Sequence, residues 1–121
     1  MIVVDDDPGV REALGALMKS AQLNAAVFAS AEDALASGLF AHASCLISDL
    51  RMPGMQGMEL RRVVKREYPE LPVLFITAHR EDGMKSASVM ERADRLFYKP
   101  LDPRNFLQAV ETAISDASQG T

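Results

Sequence analysis

Five short apolar runs, at residues 2–4, 25–28, 45–48, 73–77 and 96–98, alternate along this chain with five longer segments of helical period. No other feature restricts the fold as much. The runs are apolar at mostly consecutive positions, the pattern of strands covered on both faces, and such coverage belongs to parallel sheets with helical crossovers. Alternating strands and helices joined by right-handed crossovers predict an α/β fold of three layers. Its centre is a doubly wound, five-stranded parallel sheet in the order 2-1-3-4-5, with helices on both faces.

Local signals place the helices. The first opens at Asp7-Pro8, a capping carboxylate followed by proline in the first turn, and carries Val10, Ala13, Leu14, Leu17 and Met18 on one stripe. The second opens at Ser30, with Asp33 three residues on as in a capping box. The third spans 57–67 with Leu60, Val63 and Val64 inward and stops before Pro69; the fifth starts at Asp102-Pro103 and buries Phe106, Leu107, Val110 and Ile114. The fourth, 82–93, has only a thin stripe of Met84, Ala87 and Met90, so it is expected to be an element of low stability. From Ser115 the residues turn small and polar, and 117–121 reads as a tail or the start of a linker after a single domain at 1–116.

Composition removes several classes. At 121 residues the chain can bury one core without staples, and 48% apolar with 25% charged residues is the balance of an ordinary globular domain. A net charge of -4 argues against direct nucleic-acid binding, which needs clustered cations. Arg61, Arg62, Lys65 and Arg66 fall within one helix and read as its solvated face. The lone Cys45 excludes an internal disulfide and reads as a buried small hydrophobe in a reducing compartment. No stretch has the apolar length to span a bilayer, and Met1-Ile2-Val3-Val4 runs straight into three aspartates, unlike a signal segment. A cytoplasmic location without membrane partners is expected.

A doubly wound sheet binds its ligands beyond the carboxyl ends of its strands. Asp5, Asp6 and Asp7 follow the first strand, Asp49 ends the third, Thr77 the fourth and Lys99 the fifth. The first and third strands are neighbours in the expected order, so their carboxylates converge. Converging carboxylates repel unless a cation sits among them, and Mg2+, which prefers hard oxygens and shares them with phosphate, fits better than softer metals; Mn2+ is the alternative. A carboxylate can attack phosphorus to give an acyl phosphate, helped by fixed positive charge around the equatorial oxygens. Lys99 supplies such charge and Thr77 a short hydroxyl donor. Singly, Asp7 reads as a helix cap, Asp5 and Asp6 as turn residues, Thr77 as a strand former and Lys99 as a loop residue; their joint placement points to a phosphoryl site.

The segments Val4-Asp5-Asp6-Asp7, Ser48-Asp49-Leu50-Arg51-Met52-Pro53-Gly54-Met55-Gln56-Gly57, Ile76-Thr77-Ala78 and Lys99-Pro100 resemble, in order and spacing, the four motifs of two-component response-regulator receiver domains, whose fold is CheY-like and flavodoxin-like. Ala29-Ser30-Ala31-Glu32 and the loop after Asp49 look most like the NarL/FixJ-type regulators. The resemblance implies that Asp49 is the phosphoacceptor, that Asp5, Asp6, Asp49 and the backbone carbonyl of Arg51 hold the metal with Asp6 preferred over Asp5 as direct ligand, and that Thr77 and Lys99 bind phosphoryl oxygens. It implies hydrolysis-tuning positions at Arg51 and His79, a turn role for Gly57, and a cis Lys99-Pro100 bond.

The resemblance further implies a switch, not an enzyme acting on a separate substrate, although it catalyses its own phosphorylation and dephosphorylation. The expected partners are a histidine kinase or phosphotransfer protein, and a second copy through the face of the fourth helix, fifth strand and fifth helix. The expected output is transcriptional, carried by another domain. Two departures stand out: Arg92-Ala93-Asp94 replaces the usual Gly-Ala before the fifth strand, and Leu96 stands where the family carries an aromatic switch residue, leaving Tyr98 to take that part beside Thr77. The rival readings are a single-domain relay or interaction module without its own output, and an aspartyl-nucleophile phosphatase. For the phosphatase, the Asp5-x-Asp7 spacing fits but Gly9 does not. A flavodoxin-like cofactor binder is opposed by the acidic turn after the first strand.

Overall fold

The computed structural model of the chain describes residues 1–87 and 95–119, without the side chains of 86, 87, 118 and 119. Strands β1 (Ile2–Val4), β2 (Ala26–Phe28), β3 (Leu46–Asp49), β4 (Val73–Thr77) and β5 (Arg95–Tyr98) alternate with helices α1 (Pro8–Ser20), α2 (Ala31–Ala36), α3 (Gly57–Glu67), α4 (Arg80–Ala87) and α5 (Pro103–Gln119). All pairings are parallel and the order is β2-β1-β3-β4-β5, as expected.

Alternation along each strand divides the core in two, because successive side chains leave a strand on opposite faces. Ile2, Val4, Leu46, Val73 and Phe75 pack with Ala31 and Ala34 of α2 and Leu60 and Val64 of α3. Val3, Ile47, Leu74 and Ile76 pack on the other face with Leu14 and Met18 of α1 and Phe106 and Val110 of α5. Cys45 is fully buried, and burial pushes its thiol up to about 12.

Caps form where the sequence signals them. Asp7 Oδ1 accepts from the backbone N–H groups of Gly9 (2.8 Å) and Val10 (3.4 Å). Ser30 Oγ accepts from Asp33 N–H at 3.1 Å, and Asp102 Oδ1 accepts from Arg104 and Asn105. A Cβ on Gly57 would run into the backbone carbonyl oxygen of Asp49, so only glycine lets α3 begin this close to the end of β3.

Several expectations need correction. On α3, Val63 is exposed and the buried positions are Gly57, Leu60 and Val64, since one inward side chain per turn suffices against β1, β3 and β4. Ala13 likewise lies outside the buried stripe of α1. Helix α4 begins at Arg80, two residues before the expected start; Met84 is 72% exposed and Gly83 is the buried position. Ala87's side chain, Met90 and the segment 92–94 lie outside the described residues. A 3-10 turn at Leu39–His42, after a left-handed Gly38, fills the crossover behind α2 and had no sequence signal. At the carboxyl end α5 continues through Gln119, so residues 117–119 are helical; the run of Ala, Ser and Gln carries no helix breaker before Gly120.

Candidate phosphoryl site

Register assembles the site. Val4 lies opposite Ser48, so the residues that follow, Asp5 and Asp49, stand side by side; Asp49 lies opposite Ile76, and Thr77 opposite Tyr98, one residue before Lys99. One carboxylate oxygen from each of Asp5, Asp6 and Asp49 lies within 4.8 Å of the other two. Asp5 and Asp49 are buried and Asp6 is exposed. Lys99 Nζ donates to Asp5 Oδ2 at 3.0 Å and to Asp49 Oδ2 at 3.2 Å, and its bond to Pro100 is cis, as the resemblance implied.

The electrostatics favour a cation. Burial raises the pKa of Asp5 above the usual carboxyl range, and the nearby charge of Asp49 adds to it; the Asp7 N–H on Asp5 Oδ1 (2.9 Å) and Lys99 only partly offset this. Partial burial works against the Lys99 charge, yet its bond to Asp5 and the two carboxylates outweigh it and hold the ammonium above its ordinary range. Three converging carboxylates with one ammonium leave net negative charge at the mouth of the sheet, the condition under which a divalent cation with oxygen preference binds.

The other expected residues are placed as follows. Arg51 N–H donates to Asp49 Oδ1 at 3.3 Å, which keeps the residue-51 backbone against the acceptor. The Arg51 side chain leads away to α4, where Nε meets Asp82 Oδ2 at 2.8 Å. Thr77 is fully buried, but its hydroxyl is engaged by His79: Oγ1 accepts from His79 N–H (3.0 Å) and donates to His79 O (3.3 Å). His79 itself is exposed. Leu96 and Tyr98 share the face toward α4, as strand alternation requires. A Cβ on Gly83 would stand 2.7 Å from Tyr98 Oη and 3.0 Å from Leu96 Cδ2, and the Arg80 guanidinium lies 4.7 Å from the Tyr98 ring centre.

Sequence reasoning missed three supporting residues. Glu32 of α2 accepts from Met55 N–H at 3.0 Å and clamps the loop after Asp49. Arg11 of α1 donates to Asp5 O at 2.8 Å. Asp82 holds Arg51. Glu32 lies in a segment that carries the family resemblance, but none of the three contacts is readable from sequence, because each runs to the backbone or to an exposed partner.

With this geometry in place, comparison with protein families matches residues 1–111 to the response regulator receiver domain. The chain belongs to that family. Among similar proteins, the response regulator protein TodT of Pseudomonas putida is 33% identical over 117 residues, 97% of this chain and 52% of TodT. The DNA-binding transcriptional regulator NtrC of Salmonella typhimurium is 34% identical over 113 residues, 93% of this chain and 24% of NtrC. Among solved structures, response regulator StyR superposes with a TM-score of 0.82 at 31% identity, covering 98% of this chain and 60% of that one. The receiver domain thus spans about half the length of TodT and a quarter of NtrC. Its five-stranded sheet and flanking helices are the CheY-like arrangement.

Proposed function

We propose that this receiver domain is a phosphorylation-dependent switch in which Asp49 accepts a phosphoryl group from a histidine kinase or phosphotransfer protein. The observation that carries the reading is the meeting of Asp5, Asp6 and Asp49 within 4.8 Å, with Lys99 Nζ bridging Asp5 and Asp49.

The residues present fit Mg2+, with Mn2+ as substitute: the donors are hard oxygens, and Asp5 is a buried carboxylate whose charge is disfavoured without a cation. Asp5, Asp6, Asp49 and the Arg51 carbonyl would hold the ion. When bound, it would neutralise charge on the phosphoryl oxygens. Asp49 attacks phosphorus with a carboxylate oxygen; the new P–O bond forms as the donor's P–N bond breaks, and the electron pair leaves on the imidazole nitrogen. Lys99 already stands where charge develops, so little reorganisation is needed. Thr77 reaches a phosphoryl oxygen only after releasing the His79 backbone, and that release is the first step of the switch. Arg51 and His79 flank the acyl phosphate and set its exposure to water.

The donor approaches over an apolar groove beside Lys99, lined by Val10, Ala13, Leu14 and Leu17 of α1 with Pro100 and Leu101. Signal leaves through α4, β5 and α5 to a second copy or to an output domain. The name of NtrC supports a transcriptional output. The domain turns over no substrate other than its own phosphoryl group and acts in the cytoplasm without contacting nucleic acid or membrane itself. Among the described residues no helix is long and apolar enough to cross a membrane.

The test is the intact mass after incubation with acetyl phosphate, with and without Mg2+. One phosphoryl group on wild type only with the metal, and none on Asp49→Asn, is the expected result; equal labelling of Asp49→Asn would refute the assignment.

A further inference from the structure

Among the described residues, an ion pair joins helix α4 to the phosphoacceptor loop. Arg51 leaves the chain two residues after Asp49, and its Nε lies 2.8 Å from Asp82 Oδ2 in the first turn of α4. Resting on the assignment of Asp49 above, we propose that Asp82 is a positioning residue: it holds the Arg51 guanidinium off Asp49 until a phosphoryl group on Asp49 draws Arg51 away and frees the first turn of α4.

The competition is one of charge and shape. Phosphorylation places about two negative charges and three acceptor oxygens within reach of a side chain whose backbone N–H already touches Asp49. A guanidinium pairs such oxygens two at a time, whereas Asp82 engages it through Nε. The Arg51 side chain is 55% exposed, so its swing toward Asp49 is open to solvent over more than half its surface. The groups facing Arg51 are Asp82 and Glu81 from α4 and Asp49 from β3; those facing Asp82 besides Arg51 are His79 and Lys85.

The consequence for α4 follows from its thin attachment. Met84 is exposed, and among residues 80–85 the buried position is Gly83, which has no side chain. Among the contacts that hold the described first turn are Arg51 on Asp82, Arg80 over Tyr98 and the seat of Gly83 on Tyr98 and Leu96. Of these three, the two that remain when the first is lost both run through Tyr98, so that side chain is the one whose seat loosens when Asp49 is phosphorylated. Only a ligand that engages the two states differently can shift the balance, and the phosphoryl group does so by competing for Arg51.

The test uses the full chain with acetyl phosphate and Mg2+; Asp49 displaces acetate, which departs with the electrons of the broken P–O bond. Intact mass records the adduct while hydrogen exchange is followed over residues 80–87. Phosphorylation of wild type is expected to speed that exchange about two- to fivefold, as for loss of an exposed ion pair. Asp82→Asn should show the fast rate before phosphorylation and gain nothing after it, and Asp82→Glu should restore the slow rate. The NMR signal of Arg51 Nε–H gives a second reading: it should move in wild type on phosphorylation, to the position found in phosphorylated Asp82→Asn. An adduct on wild type with unchanged exchange at 80–87, or with the Arg51 signal unmoved, overturns the latch alone. Absence of any adduct overturns the Asp49 assignment and the latch with it.

Discussion

Asp5 is the residue on which the electrostatics of the site turn. Fully buried, beside Asp49 and with one ammonium shared between them, it is a carboxylate that folding makes harder to ionise. A cation among Asp5, Asp6 and Asp49 relieves that repulsion and binds only the folded chain. At ten times its Kd, Mg2+ should therefore stabilise the domain by about 1.4 kcal/mol. That is a rise of about 5 °C in Tm, read by thermal unfolding, and Asp6→Asn should weaken it. No shift with Mg2+ would count against the carboxylate cluster as a metal site. Glu32 makes the second residue-scale case. Its carboxylate is held below its ordinary value of 4.5 chiefly by the Met55 N–H. A depressed carboxyl contributes fully above the unfolded pKa and loses its contribution as pH falls through the folded one. The Met55 amide signal should thus titrate with a midpoint below 4.5, and Glu32→Gln should abolish that movement. The meeting of Asp5, Asp6 and Asp49 with Lys99 was legible because strand ends in a doubly wound sheet converge. Glu32 and Asp82 were not: each acts on a partner 23 or 31 residues away across the surface, and no period or motif encodes such contacts.

At the scale of elements, two glycines mark where helices press on the sheet. Gly57 starts α3 against immovable backbone, so Gly57→Ala must shift either α3 or the Asp49 loop. We expect a loss of about 1–3 kcal/mol in chemical denaturation together with slower phosphorylation. Gly83 differs, because the atoms it would strike belong to the end of the Tyr98 side chain. Gly83→Ala should push Tyr98 outward while alanine's better helix propensity offsets the cost, leaving stability within about 1 kcal/mol. Tyr98 ring shifts in NMR check this; a Tyr98 unmoved by Gly83→Ala would show that α4 yields first. Strands and the helices α1, α3 and α5 were readable from strong periods and caps. Helix α4 was read out of phase, with Met84 inward, because a weak stripe fixes neither the start of a helix nor its face. The 3-10 turn at Leu39–His42 was hidden for a related reason, since four residues are too few to show a period.

The whole molecule joins a rigid half to a loosely tied one. β1, β3 and β4 are buried along their length, hold Asp49 and Thr77, and carry the two halves of the core. β5 is half-exposed, and the α4 turn above it is tied by Arg51, Arg80 and Tyr98. Charge added at Asp49, as proposed, would act at the boundary between the two, beside Thr77 and Arg51. The central claim is that the added charge lands on Asp49. Borohydride reduction of the chain after acetyl phosphate and Mg2+, followed by peptide mapping, tests it most directly, because reduction converts a phosphorylated aspartate to homoserine. The account predicts homoserine at position 49 alone and only when Mg2+ was present; homoserine at Asp5 or Asp6, or none at all, would contradict it.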